Sequence, residues 1–209
     1  MFCLDPRASF ARWYDLTTGF VLKKTRARLV SLCLERGFNR VLDVGCRTGL
    51  LARDLCEKGC HVTGLDVSSA MLAVAAKHRA IAGNYSLVQG SVPFPFAANF
   101  FDAVIFSLVL HESESDPVAM LTEALRVAPV CFVLEWRMPE RNLDLPLQPF
   151  VFTVERCAGL RHYRRFCAFV QGGYLHGTVI QAGARVVVEE TLMNGTMVLA
   201  EIGPGLERV

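Results

Sequence analysis

Two carboxylates stand where nucleoside chemistry would need them. Asp43 sits in the apolar run Val41-Leu42-Asp43-Val44, which leads into Gly45-Cys46-Arg47-Thr48-Gly49 and then the helix-forming Leu50-Leu51-Ala52. Asp66 closes a second apolar run, His61-Val62-Thr63-Gly64-Leu65. A strand, a glycine turn, a helix and a strand ending in an acid make half of a nucleoside-binding βαβ unit, with the second acid placed to accept from ribose hydroxyls. A dinucleotide site needs the spacing G-x-G-x-x-G/A so that a pyrophosphate can approach bare backbone. Here Arg47 stands at the middle glycine and Leu50 at the last. The lysine and hydroxyl of a phosphate-cradling P-loop are also missing. Asp43, two residues before the first glycine, would repel a pyrophosphate and suits a cofactor with a cationic tail.

The ordered set Asp43-x-Gly45-x-x-x-Gly49, Asp66, Gly90-Ser91-Val92-Pro93-Phe94 and Phe101-Asp102-Ala103-Val104-Ile105-Phe106-Ser107 resembles the class I S-adenosylmethionine-dependent methyltransferases. Within them it is most similar to the small-molecule, type 11 branch that includes ubiquinone and menaquinone C-methyltransferases. The resemblance spans roughly residues 38 to 136. Arg12-Trp13-Tyr14-Asp15 and Ala182-Gly183-Ala184 extend it. It implies S-adenosylmethionine as cofactor and S-adenosylhomocysteine as product. It also implies that Asp43 balances the cofactor's ammonium, that the turn Gly45, Cys46 and Gly49 lies along its methionine portion, and that Asp66 takes the ribose. Val67 and Met71 would line the adenine or simply pack in the core. Ser91 and Val92 would meet the adenine edge, Ser107 would end the fourth strand at the site, and Tyr14 would cover the cofactor or anchor the first helix. Two positions depart from the family pattern. Arg47 replaces a usual glycine, so a positive φ there would be strained and its side chain must point away. Ser91 stands where an acid is common.

Methyl transfer from a sulfonium is an in-line displacement, and much of its catalysis comes from holding the acceptor in line. Where the acceptor must lose a proton, His111 in Leu108-Val109-Leu110-His111-Glu112 is the candidate base, since its intrinsic pKa lies near neutrality. The alternative for His111 is a core histidine with satisfied nitrogens. Asp102 begins its strand and so lies at the wrong end of the sheet, which points to a structural role. The Asn/Asp-Pro-Pro-aromatic motif for methylating bases is absent, Ser107-Leu108-Val109-Leu110 standing in its place. The net charge is only +2. Both argue against a nucleic-acid partner. No carboxylate cluster of the magnesium-dependent type is visible, so no metal is expected. A domain that binds the cofactor or a partner without turnover is the second reading.

These residues need a scaffold. Apolar runs near 40–44, 60–65, 85–89, 101–106 and 130–136 alternate with helical patterns near 49–58, 69–80 and 117–127, which predicts a parallel sheet covered on both faces. Ser115-Asp116-Pro117 reads as a helix cap. Residues 8–35 carry helical periodicity that ends near Gly37. A helix near 171–182 precedes Ala184–Leu192, and Asn194-Gly195 then turns into Thr196–Ile202, a hairpin signal. The expected fold is therefore a Rossmann-like, doubly wound, seven-stranded α/β sheet, mostly parallel, with an antiparallel last strand. One domain over 1–209 is expected, with 1–37 as a helical cover and 137–170 as an insertion over the acceptor pocket. In the insertion, Arg161, Arg164 and Arg165 would share a solvated face opposite Tyr163, Phe166, Cys167 and Val170. The alternative for that face is a basic rim attracting an acidic acceptor. Eight cysteines form no C-x-x-C pair and read as small hydrophobes. No apolar run reaches bilayer length and Asp5, Arg7 and Arg12 interrupt the N-terminus, so the expected compartment is the cytoplasm. The acceptor and oligomeric state are not legible from these residues.

Overall fold

A computed structural model describes residues 22–137 and 148–205. The ordered elements are α1 (Lys23–Glu35), β1 (Arg40–Val44), α2 (Leu50–Cys56), β2 (His61–Asp66), α3 (Ser69–Ala82), β3 (Tyr85–Gln89), β4 (Ala103–Ser107), α4 (Pro117–Val127), β5 (Val130–Trp136), α5 (Gln148–Cys157), α6 (Leu160–Gln171), α7 (Tyr174–Gln181), β6 (Ala184–Leu192) and β7 (Met197–Pro204). The strands form one seven-stranded sheet in the order β3-β2-β1-β4-β5-β7-β6. β7 runs antiparallel to both of its neighbours, as the Asn-Gly hairpin signal predicts. Asn194 and Gly195 both take positive φ in that turn, a backbone these two residue types tolerate best. Among the described residues, no helix is long and apolar enough to cross a membrane.

By density of internal contacts the chain divides into two compact units, Met1–Ile105 and Phe106–Val209. In the first, β1 pairs parallel with β2 and β2 with β3, with Asp43 opposite Gly64 and Asp66 opposite Gln89. Val41, Leu42 and Val44 are buried without alternation, because helices cover both faces of a parallel sheet. α1 ends as expected at Gly37, whose φ of 66° lets Phe38 N–H return to the Cys33 carbonyl at 2.9 Å. Residues 8–21 of the expected first helix, and Tyr14 with them, lie outside the described residues. The fourth strand begins at Ala103, two residues later than its apolar run suggests. Asp102 is occupied otherwise: its Oδ2 accepts from Asn39 N–H at 2.8 Å and Arg40 N–H at 2.7 Å. That is the structural role expected of it.

In the second unit, Asp116 caps α4 by accepting from Val118 and Ala119 N–H, with Pro117 at the first helical position. Residues 148–171, which the strand–helix alternation leaves unassigned, form α5 and α6. They are separated by Gly159 at φ 116°. α6 buries Phe166 and Phe169. Arg165 on this helix is paired, donating to Glu114 at 2.7 Å and to the Glu112 carbonyl at 3.1 Å, so the basic face is partly neutralised. Seven described cysteines are free, five of them buried.

Candidate functional site

The glycine turn of the first unit is tied to the end of β2. Gly45 N–H donates to the Leu65 carbonyl at 2.7 Å and Arg47 N–H to Asp66 Oδ2 at 2.9 Å. Asp66 Oδ1 accepts from Ser68 N–H at 2.8 Å, and the Ser68 hydroxyl in turn caps α3. Asp66 thus joins the turn to the start of α3 through both of its carboxylate oxygens. The turn needs left-handed backbone at Gly45 (φ 68°), Arg47 (φ 49°) and Gly49 (φ 79°). Arg47 therefore adopts the strained conformation that its position implies.

Two residues of the turn are also fixed by packing. At Gly49 a Cβ would lie 2.8 Å from Tyr85 Oη and 3.1 Å from the Ala75 methyl. Its smallness is required by packing beneath the turn. Cys46 is buried, and its Sγ lies where a Cβ on Gly64 would stand 2.8 Å away, so its side chain belongs to the core. Burial, then the charges of Asp43 and Asp66, push its thiol pKa up, which removes any thiolate chemistry. Only the backbone of Cys46 serves the turn.

Asp43 is the unusual group. It is 2% exposed, and its Oδ2 has no hydrogen-bond partner among the described residues. Burial first, and the neighbouring Asp66 charge second, raise its pKa to about 8. A buried polar atom without a partner is costly, and this one would be relieved by a cation. The donor set thus fits a ligand with an ammonium group and a ribose. Around it, Val67 is 57% exposed and so is no core residue, whereas Met71 is buried. Ser91 is exposed and Val92 half-buried in the loop after β3. Gln89, which the sequence reading did not single out, reaches back to the Val67 carbonyl at 3.1 Å from the end of β3. A polar residue closing a strand beside Asp66 was the signal available for it.

The second unit holds Ser107, half-buried at the end of β4, and a separate polar cluster built on His111. His111 is 2% exposed. Its Nδ1 lies 2.7 Å from Glu135 Oε2, and its Nε2 lies 3.5 Å from Glu155 Oε2. Burial alone would lower the imidazole pKa, but the charge and hydrogen bond of Glu135, with Glu155 behind them, carry it up to about 10. Both ring nitrogens of His111 thus face carboxylates, the arrangement of the core histidine with satisfied nitrogens that was its alternative reading. Glu135, Glu155 and His162 were missed. The legible hint was Glu135 in Val130-Cys131-Phe132-Val133-Leu134-Glu135-Trp136, because a charge in a buried strand must be paired.

Residues 42–129 match the family described as "Methyltransferase domain". In that stretch the chain is similar to a methyltransferase domain. The methyltransferase span contains Asp43, Gly45, Gly49, Asp66 and His111, but ends before Glu135, Glu155 and His162. The chain is similar to a malonyl-[acyl-carrier protein] O-methyltransferase of Enterobacter lignolyticus, at 40% identity over 107 residues, covering 50% of this chain and 41% of the relative. It is also similar to a demethylmenaquinone methyltransferase of Beutenbergia cavernae, at 37% over 123 residues, covering 56% and 49%. The chain thus spans about half the length of the curated relatives it matches. The solved magnesium protoporphyrin IX methyltransferase of Synechocystis, with S-adenosylhomocysteine bound, shares the fold. Its TM-score is 0.62 at 19% identity, over 94% of this chain and 99% of that one.

Proposed function

We propose that this chain binds S-adenosylmethionine and transfers its methyl group to a small-molecule acceptor. The observation that carries the reading is the buried Asp43 oxygen with no partner among the described residues, beside a turn of left-handed residues that Asp66 holds in place. The bound cofactor supplies a methyl group already activated on a cationic sulfur. Asp43 provides the countercharge for its ammonium, the Gly45–Gly49 backbone flanks the methionine portion, and Asp66 holds the ribose. Val67, exposed next to Asp66, offers an apolar face for the adenine. No side chain is assigned as a base, so the chain's part in the reaction is to hold the two reactants in line and exclude water. The relatives' names, a malonyl-[acyl-carrier protein] O-methyltransferase and a demethylmenaquinone methyltransferase, support a small-molecule acceptor class. We assign acceptor choice to residues 137–170, which lie outside the matched span, and the reaction to the cytoplasm, where thiols such as the seven described free cysteines persist.

Calorimetric titration with S-adenosylmethionine and S-adenosylhomocysteine, beside Asp66→Ala, tests this. Binding in the micromolar range that Asp66→Ala abolishes is the expected result. Binding without turnover on any acceptor would favour a cofactor-binding domain instead. A folded protein that binds neither ligand would mean that Arg47 at φ 49° has closed the turn.

A further inference from the structure

In the second unit, three ligand-type atoms converge from three elements: His111 Nε2 from the turn after β4, Glu155 Oε2 from α5, and His162 Nε2 from α6. All lie within 4.8 Å of one another. We propose that these three residues bind a divalent first-row transition ion that fastens α5 and α6 to the turn after β4.

The remaining atoms of the three ligands are held in the way that metal ligands require. The Nδ1 of His111 faces the Glu135 carboxylate at 2.7 Å, whose other oxygen accepts Leu110 N–H at 2.9 Å. That carboxylate fixes a proton on Nδ1 and turns the Nε2 lone pair towards Glu155, the second-shell pattern that orients metal-bound histidines. Glu155 Oε1 accepts Trp136 Nε1–H at 2.7 Å, which leaves Oε2 for the ion. His162 Nδ1 has Glu112 Oε2 at 3.6 Å, so its own outward nitrogen also faces an acid. Phe166 packs T-shaped against His111 and Phe169 at a tilt, with ring centroids 5.9 and 6.3 Å away.

With the proton on Nδ1, the lone pair of His111 Nε2 and the Glu155 oxygen confront each other at 3.5 Å. Only a cation between them makes that contact favourable, and a proton on Nε2 would serve. The second imidazole separates the two cases. His162 Nε2 closes on the same Glu155 oxygen, so the three ligand-type atoms converge on one point, where one divalent ion accepts all three donors at once. Two imidazoles and one carboxylate form a set used by zinc and by non-haem iron. Gly159 permits the turn that returns His162 beside Glu155. His111 lies within residues 42–129, and Glu155 and His162 lie beyond them.

Zinc and cobalt(II) are the probes. Metal-stripped protein is titrated with Zn2+ by calorimetry and with Co2+ by visible absorption, beside His162→Ala and Glu135→Gln, each checked for folding by circular dichroism. His162 is partly exposed, so its truncation leaves the fold intact. The expected result is about one ion per chain, a cobalt spectrum of nitrogen–oxygen ligation, loss of both in His162→Ala, and a ~10–100-fold weaker affinity in Glu135→Gln. Zinc should also raise the melting temperature of the parent protein and not of His162→Ala. Absence of binding in the parent, or binding that His162→Ala leaves unchanged, overturns the proposal; the latter would place the ion on cysteine thiols elsewhere.

Discussion

Asp43 combines burial, a missing partner and a neighbouring like charge, and each has a measurable consequence. Its folded pKa of about 8 lies above the 3.8 of the unfolded chain. The native state therefore holds a proton that the unfolded state releases, and this contribution to stability is lost as pH rises through that window. Asp43→Asn should remove the loss: urea midpoints measured from pH 5 to 8.5 should fall for the parent ligand-free protein and stay flatter for the variant. A cationic ligand favours the carboxylate, so binding at pH 7 should release up to about one proton. Calorimetry in buffers of different ionisation enthalpy reads that number directly. The same variant should weaken S-adenosylmethionine by ~10-fold or more, since hydrogen bonds to charged partners contribute about 1.5–3 kcal/mol.

Among the elements, two glycines with similar backbone angles separate strain from crowding. Gly37 has open space around a built Cβ, whereas Gly49 faces Tyr85 Oη at 2.8 Å. Gly37→Ala should cost about 1–2 kcal/mol from the left-handed backbone alone. Gly49→Ala adds overpacking and should cost about 2–4 kcal/mol in total by chemical denaturation. Asp102 makes a different contrast. It ties the start of β1 through two backbone amides at the end of the strands opposite the turn. Asp102→Ala should lower stability by ~1–2 kcal/mol and leave cofactor affinity unchanged. An altered affinity with unaltered stability would refute the structural role.

For the molecule as a whole, a ligand that binds only the native state stabilises it by mass action. S-adenosylhomocysteine at about one hundred times its Kd should add ~2.7 kcal/mol, seen as a raised melting temperature that Asp66→Ala abolishes. Much of the scaffold was legible in the chain. Apolar runs ending in Asp43 and Asp66, the Asp116-Pro117 cap and the Asn194-Gly195 turn are local signals, because periodicity, capping and left-handed backbone act over a few residues. They determine the element order, the strand reversal and the turn that would hold a nucleoside. What only the tertiary structure decided depends on distant partners. Tyr85 and Ala75 claim the space at Gly49, Gly64 draws the Cys46 thiol into the core, and Glu135 and Glu155 face the two ring nitrogens of His111. No spacing rule joins residues 24 and 44 positions apart from His111. Burial brings them together, and in a dry interior the partners of an ionisable group determine what chemistry it retains.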